Sequence, residues 1–179
     1  MSKKRSYQEL EYKKIKTNNI IVKDGYVYCP TLAVGEALVI AAQQCDDKLA
    51  KTLVQHGTDV NYQTENGDTA LMFATKSGAI SLAMYLVEQG ADVNLSNQWG
   101  ITPLIMAVMN SNLLLTRHFV QHNADVNAKT NTNIECNALY YACHMGDINI
   151  IKYLLDNNAR INDVNKDGAS VLFAVPGGR

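Results

Sequence analysis

The segment Gly57-Thr58-Asp59-Val60-Asn61 decides the fold, because close copies of it recur along the chain. Gly90-Ala91-Asp92-Val93-Asn94 and Asn123-Ala124-Asp125-Val126-Asn127 follow at intervals of 33 residues, and Asn158-Ala159-Arg160-Ile161-Asn162 follows after 35. A second marker keeps the same spacing: Ala37-Leu38, Ala70-Leu71, Pro103-Leu104 and Ala138-Leu139. A period of 33 residues is typical of a solenoid built from short repeated units.

The repeats divide the 179 residues into units. We predict a cap at 1–33, complete units one to four at 34–63, 64–96, 97–129 and 130–164, and a partial fifth unit at 165–175. The spacing of both markers increases from 33 to 35 residues at the same place. This predicts a two-residue insertion between Thr130 and Cys136 and hence a longer hairpin there. Pro176 falls where a helix of the fifth unit would continue. Residues 176–179 are therefore a truncated end or an added tail, unless the chain ends in an abbreviated natural cap.

Unit two shows how each repeat is built. Asn66-Gly67 suits a tight turn, Thr69 can cap a helix that runs to Lys76, and Gly78 ends that helix. A second helix places apolar residues on one face, at Leu82, Ala83, Leu86 and Val87. Two short helices cannot bury that face alone, so each unit must stack on its neighbours.

These motifs resemble the ankyrin repeat, above all Asn66–Leu71, Gly90–Asn94 and the segment Trp-Gly-Ile-Thr-Pro-Leu at 99–104. The resemblance covers about residues 34–175. It implies an all-α solenoid of helix-turn-helix units joined by β-hairpin turns, with four complete repeats and a partial fifth. The chain departs from the pattern in two ways. The usual histidine is replaced, which predicts apolar packing at Met72, Ile105, Tyr140 and Phe173, and the glycine of the inter-helix turn is replaced by Cys45 and Ser111.

The N-terminal segment differs from the repeats in charge. Seven of the 16 basic residues lie in the first 23 positions against two acidic ones, whereas the whole chain has a net charge of −1. Residues 6–16 predict a short amphipathic helix, and residues 20–22 and 26–28 predict a β-hairpin around Lys23-Asp24-Gly25. We expect this segment to cap unit one. A solvated basic tail explains its charge more simply than nucleic-acid binding does.

Composition indicates a reduced, intracellular protein. The four cysteines are dispersed, and the basic N-terminus has no apolar segment behind it. The longest uncharged stretch, residues 93–116, contains several asparagines, Gly100 and Pro103, so it does not predict a membrane span. We expect a cytoplasmic monomer, or one in the host cytosol if the chain is a secreted effector.

The residues that could form a catalytic or metal-binding site are explained better by structural roles in the repeat. His118 and His122 are four residues apart, but His122 aligns with other polar residues of the repeat and has no third ligand nearby. Cys143 lies near Cys136 and His144, yet aligns with small residues between helices. The sequence therefore predicts no enzymatic activity, no metal and no cofactor.

The ankyrin resemblance implies that a partner protein binds the concave surface formed by hairpin tips and first helices. The positions that correspond are Glu65, Asp68, Lys76, Trp99, Ile101, Met109, Asn110, His144 and Met145. Three polar residues of unit two become apolar in unit three, since Trp99, Ile101 and Met109 align with Asn66, Asp68 and Lys76. This predicts a partner-binding adaptor without activity of its own. The alternative is the targeting or regulatory N-terminal region of a longer enzyme or host-directed effector whose catalytic part lies beyond residue 179.

The resemblance also implies a modification. The asparaginyl hydroxylase of animal cytosol acts on ankyrin asparagines that follow an apolar residue by eight positions. The four candidates are Asn61, Asn94, Asn127 and Asn162, which follow Leu53, Leu86, Phe119 and Leu154.

Overall fold

A computed structural model describes residues 21–23, 26–28, 34–132 and 135–163. Near the N-terminus, strands β1 (Ile21–Lys23) and β2 (Tyr26–Tyr28) pair antiparallel, with Ile21 opposite Tyr28. They lie where the sequence predicts a hairpin. The helix expected at residues 6–16 and the partial fifth unit lie outside the described residues, and the capping role of the hairpin stays a prediction.

Four helix pairs make up the described repeats. Their bounds are α1 Val34–Gln43, α2 Asp47–Gln55, α3 Ala70–Lys76, α4 Ile80–Glu88, α5 Pro103–Met109, α6 Leu113–Gln121, α7 Ala138–Met145 and α8 Ile148–Asp156. The first helices stack in the order α1, α3, α5, α7, and α4 packs on α6, which packs on α8. The predicted all-α solenoid with nearest-neighbour packing is therefore confirmed. No helix in these described parts is long and apolar enough to cross a membrane.

The first helix of each unit from two to four begins at a polar cap. The Thr69 and Thr102 hydroxyls accept hydrogen bonds from the N–H groups of Met72 and Ile105, both at 3.3 Å. In unit four, the Asn137 side-chain oxygen accepts from the Tyr140 N–H at 2.9 Å. Each cap satisfies an N–H that the first helical turn leaves without a partner, and so fixes where the helix starts.

The turn between the two helices keeps one conformation in all four units. Gly78 and Gly146 have φ of 70° and 72°, and Cys45 and Ser111 adopt φ of 55° and 50° at the equivalent positions. Replacing glycine has therefore not changed the turn. Cys45 and Ser111 instead hold a left-handed conformation that costs non-glycine residues about 1–2 kcal/mol.

The core is a row of equivalent residues that runs through the stack. Leu38, Leu71, Leu104 and Leu139 are all buried within one hydrophobic core that includes residues of all four helix pairs. Met72 and Ile105, which replace the usual ankyrin histidine, are also fully buried. The predicted exchange of a polar bridge for apolar packing is confirmed at these two positions. Phe173 lies outside the described residues.

The predicted insertion lengthens the hairpin of unit four. In units two and three the hairpin closes over four residues, from the Thr64 N–H to the Asp68 carbonyl at 3.0 Å and from the Asn97 N–H to the Ile101 carbonyl at 3.1 Å. In unit four the Thr130 N–H donates to the Cys136 carbonyl at 2.9 Å, six residues on. The extra two residues are thus contained within the hairpin, and the helices after it keep their register.

Candidate functional site

The hairpin tips form a continuous row because each tip is hydrogen-bonded to the next. The Gln98 N–H donates to the Asn66 carbonyl, and the Asn131 N–H donates to the Trp99 carbonyl, both at 2.8 Å. A Cβ at Gly100 would come within 2.5 Å of the Asn131 backbone nitrogen, so this approach requires glycine. The backbone that carries Trp99 is therefore fixed from both sides along the stack.

Trp99 presents its indole at this row, with 46 % of the residue exposed. The Trp99 backbone N–H donates to the side-chain oxygen of buried Asn97 at 3.1 Å, and the Ile101 backbone N–H donates to the same oxygen. The side chain is thus held on a rigid turn while nearly half of its surface remains open to water. Ile101 differs from expectation, because it is half-buried against the core and contributes only part of its surface.

Two residues predicted to contact a partner also join neighbouring units. The Asp68 carboxylate accepts from the Asn97 amide at 2.8 Å, which ties the second hairpin to the third. The Asn110 amide donates to the Thr75 carbonyl at 3.1 Å, at the end of the preceding first helix. The sequence predicts both on the concave surface, but it does not reveal that their polar groups form hydrogen bonds to neighbouring units.

The ends of the first helices form a second exposed row. Lys76 and His144 are exposed, and Met109 and Met145 are 39 % and 53 % exposed. The His144 ring lies parallel to the Tyr140 ring within 4°, with centroids 6.5 Å apart. Together with exposed Glu65 and with Trp99, these are predicted partner positions whose side chains are exposed and, among the described residues, form no hydrogen bond to a neighbouring unit's backbone. The apolar ones are concentrated in units three and four.

Sequence reasoning missed four half-buried residues on the first helices. Ile40, Phe73, Met106 and Tyr141 occupy equivalent positions, each three residues before the helix-end row. Residues three apart on a helix share a face, so these side chains border the exposed row on its inner side. The signal was present in the sequence as a run of large apolar residues at one repeat position.

The repeated asparagines form a polar ladder between units. The Asn61 amide donates to the Gly90 carbonyl at 3.1 Å and its oxygen accepts from the Asp92 N–H at 2.7 Å. Asn94 bridges in the same way to Asn123 and Asp125, and Asn127 bridges to Asn158 and Arg160. Both ends of each side chain are used in holding two units together. Hydroxylation of these residues, and of exposed Asn162, stays a prediction.

Two histidines and two cysteines that could suggest chemistry occupy structural positions. His56 and His122 each place Nδ1 against the carbonyl four residues earlier, at 2.6 and 2.8 Å, and the Asn157 amide does the same at 2.8 Å. Burial raises the pKa of the Cys136 and Cys143 thiols, which keeps them protonated and poorly nucleophilic. In the described ranges no three His, Cys, Asp or Glu side chains group as a metal site would require.

Comparison with known families agrees with this geometry. The family model described as "Ankyrin repeats (3 copies)" matches residues 32–97 and 85–165, which is well over half of the chain. The chain belongs to the ankyrin-repeat family. No curated protein matches it significantly. Ankyrin repeats are generally protein–protein interaction modules and are typically not enzymes.

Proposed function

We propose that this chain is an adaptor that binds a partner protein through its concave surface, with Trp99 as the main anchor and without catalytic activity of its own. The observation that carries the proposal is the exposed indole on a rigid tip. Tryptophan is enriched among the residues that dominate binding energy, and a backbone already fixed by hydrogen bonds loses little conformational entropy when a partner binds.

The contrast with unit two supports this assignment. The hairpin tips of the two units have the same hydrogen-bonded turn, yet unit two carries Asn66 where unit three carries Trp99. The repeat therefore folds with a polar residue at this position, and the stack does not need tryptophan there. Met109 and Met145 extend the apolar surface along the helix ends. An exposed apolar group of this kind usually marks an interaction site.

Affinity capture from cytosol with a matched set of variants tests the proposal. Trp99→Ala should lose the protein that the unchanged chain captures, and the purified partner should bind the variant about 30-fold more weakly, which corresponds to about 2 kcal/mol. Ile161→Ser serves as the control, because Ile161 is also an exposed apolar residue but lies in the loop after α8. Capture that Trp99→Ala leaves intact, or that both variants reduce equally, would refute Trp99 as the anchor.

A further inference from the structure

The helix-end row shows a spacing that fits one particular kind of ligand. The row runs from Lys76 in unit two to Met109 in unit three and His144 with Met145 in unit four, and α3, α5 and α7 pack side by side beneath it. The Asn110 amide donates to the Lys76 carbonyl at 3.4 Å, so adjacent helix ends are in contact. Packed helices have axes about 8–10 Å apart. Successive side chains of the row therefore repeat at about that distance.

Met145 extends the apolar part of the row into unit four. It is the last residue of α7, as Met109 is the last residue of α5, and both are exposed. Methionine is unbranched and polarizable, so two exposed methionines offer an apolar surface that adapts to its ligand.

We infer that the helix-end row binds an amphipathic α-helix that lies along the stack, with a carboxylate facing Lys76 and apolar side chains facing Met109 and Met145. In an α-helix, residues seven apart share a face and are separated by about 10.5 Å along the axis. This matches the repeat distance of the row. The partner's contact residues should thus be an acidic residue followed by apolar residues one and two heptads later.

Charge sets the direction of the bound helix. Lys76 supplies the ammonium group of the helix-end row in unit two, and the exposed methionines Met109 and Met145 lie in units three and four. A carboxylate at the apolar end of the ligand would lie against methionine instead of ammonium. The inference rests on the proposed function, because it assigns the partner class of the same concave surface, but it depends on Lys76, Met109 and Met145 and not on Trp99.

Titration with designed peptides tests the inference. The probe is a fluorescein-labelled alanine- and glutamine-based helical peptide with one glutamate followed by leucines one and two heptads later. A second peptide carries lysine in place of the glutamate, and a third has its leucines moved by two positions. We expect saturable binding of the first peptide, and binding at least about tenfold weaker for the third, whose leucines no longer share a face with the glutamate.

The chain supplies its own matched variants, because other units carry polar residues at the same positions. Met109→Gln copies Gln43 and Met145→Ser copies Ser77, and each should weaken binding of the glutamate peptide about tenfold. Lys76→Glu should weaken the glutamate peptide several-fold and strengthen the lysine peptide by a similar factor, which is the size expected of an exposed ion pair.

Several outcomes would overturn the inference. They are no saturable binding of the glutamate peptide, equal binding of all three peptides, and affinities that the methionine variants leave unchanged. Light scattering that shows the chain dimerising through this surface, with dimerisation lost in Met109→Gln, would assign the row to a second copy of the chain instead. If the peptides fail while Trp99-dependent capture persists, the helix inference is wrong and the proposed function still stands.

Discussion

Units two and three have the same fold and different surfaces. Both have a threonine cap, a buried leucine on the first helix and an asparagine that bridges to the next unit. They differ where the backbone turns toward solvent, with Asn66 and Lys76 in one unit and Trp99 and Met109 in the other. The shared features are those that stacking of the units requires. The residues that differ are not needed for stacking and can serve recognition.

The largest effect should come from the shared core and should be equal in the two units. Leu71→Ala and Leu104→Ala each remove a fully buried side chain and should each lower the free energy of unfolding by about 3 kcal/mol. Urea denaturation measures both. A large difference between them would show that the two units do not pack alike.

The asparagine ladder should come next in size. Asn94→Ala removes one donor and one acceptor that join the end of unit two to unit three, and should cost about 1–2 kcal/mol of unfolding free energy. Asn94→Asp keeps the acceptor oxygen and loses only the donor, so it should cost less. Equal losses in the two variants would mean that the bond from the Asp125 N–H contributes nothing.

The inter-helix turn offers a pair of opposite substitutions. Ser111→Gly should stabilise the chain by about 1 kcal/mol, because glycine adopts the positive φ of this turn without strain. Gly78→Ser should destabilise it by a similar amount, and since a Cβ at Gly78 would meet no atom within 4 Å, the cost is conformational alone. Thermal unfolding of both variants tests the pair, and shifts of the same sign would contradict it.

Units two and three should also differ, by a smaller amount, in how their stability depends on pH, because unit three contains His118. This buried residue occupies the position of Tyr85 in unit two, and its Nε2 has no hydrogen-bond partner. Burial lowers its pKa, as does the neighbouring His122, while Glu88 acts in the opposite direction. Because the folded-state pKa lies below the ordinary value of 6.5, the unfolded state binds more protons in mild acid.

Stability should therefore fall as the pH drops below about 6.5 toward the folded-state pKa, and His118→Tyr should reduce that dependence. Unfolding midpoints measured from pH 7.5 to 5.0 in both proteins test this. A pH profile that the substitution leaves unchanged would assign the acid sensitivity to other groups.

The sequence alone predicted much of the fold because each local signal recurs in several units. Thr69, Gly78 and the segment 90–94 mark the same boundaries in unit two that their equivalents mark elsewhere, and the two-residue shift located the longer hairpin. These features depend on residues close together in the chain. They could be interpreted without knowing how the units pack.

The candidate site was harder to predict because its side chains interact across units. Asp68 and Asn110 are polar and lie on the concave surface, but their partners are Asn97 and Thr75, which are distant in sequence. Ile101 is an apolar residue at the repeat position where unit two has Asp68, yet it packs against the core. The sequence identified which unit departs from the pattern, and only the structure separated its exposed residues from those that hold neighbours together.

The central claim is that Trp99 serves recognition and not packing. It is tested most directly by the affinity of the captured partner for Trp99→Asn, which gives unit three the residue that unit two carries. We predict binding about 30-fold weaker with an unfolding free energy within about 0.5 kcal/mol of the unchanged chain. An unchanged affinity together with a clear loss of stability would contradict the claim and make Trp99 part of the fold.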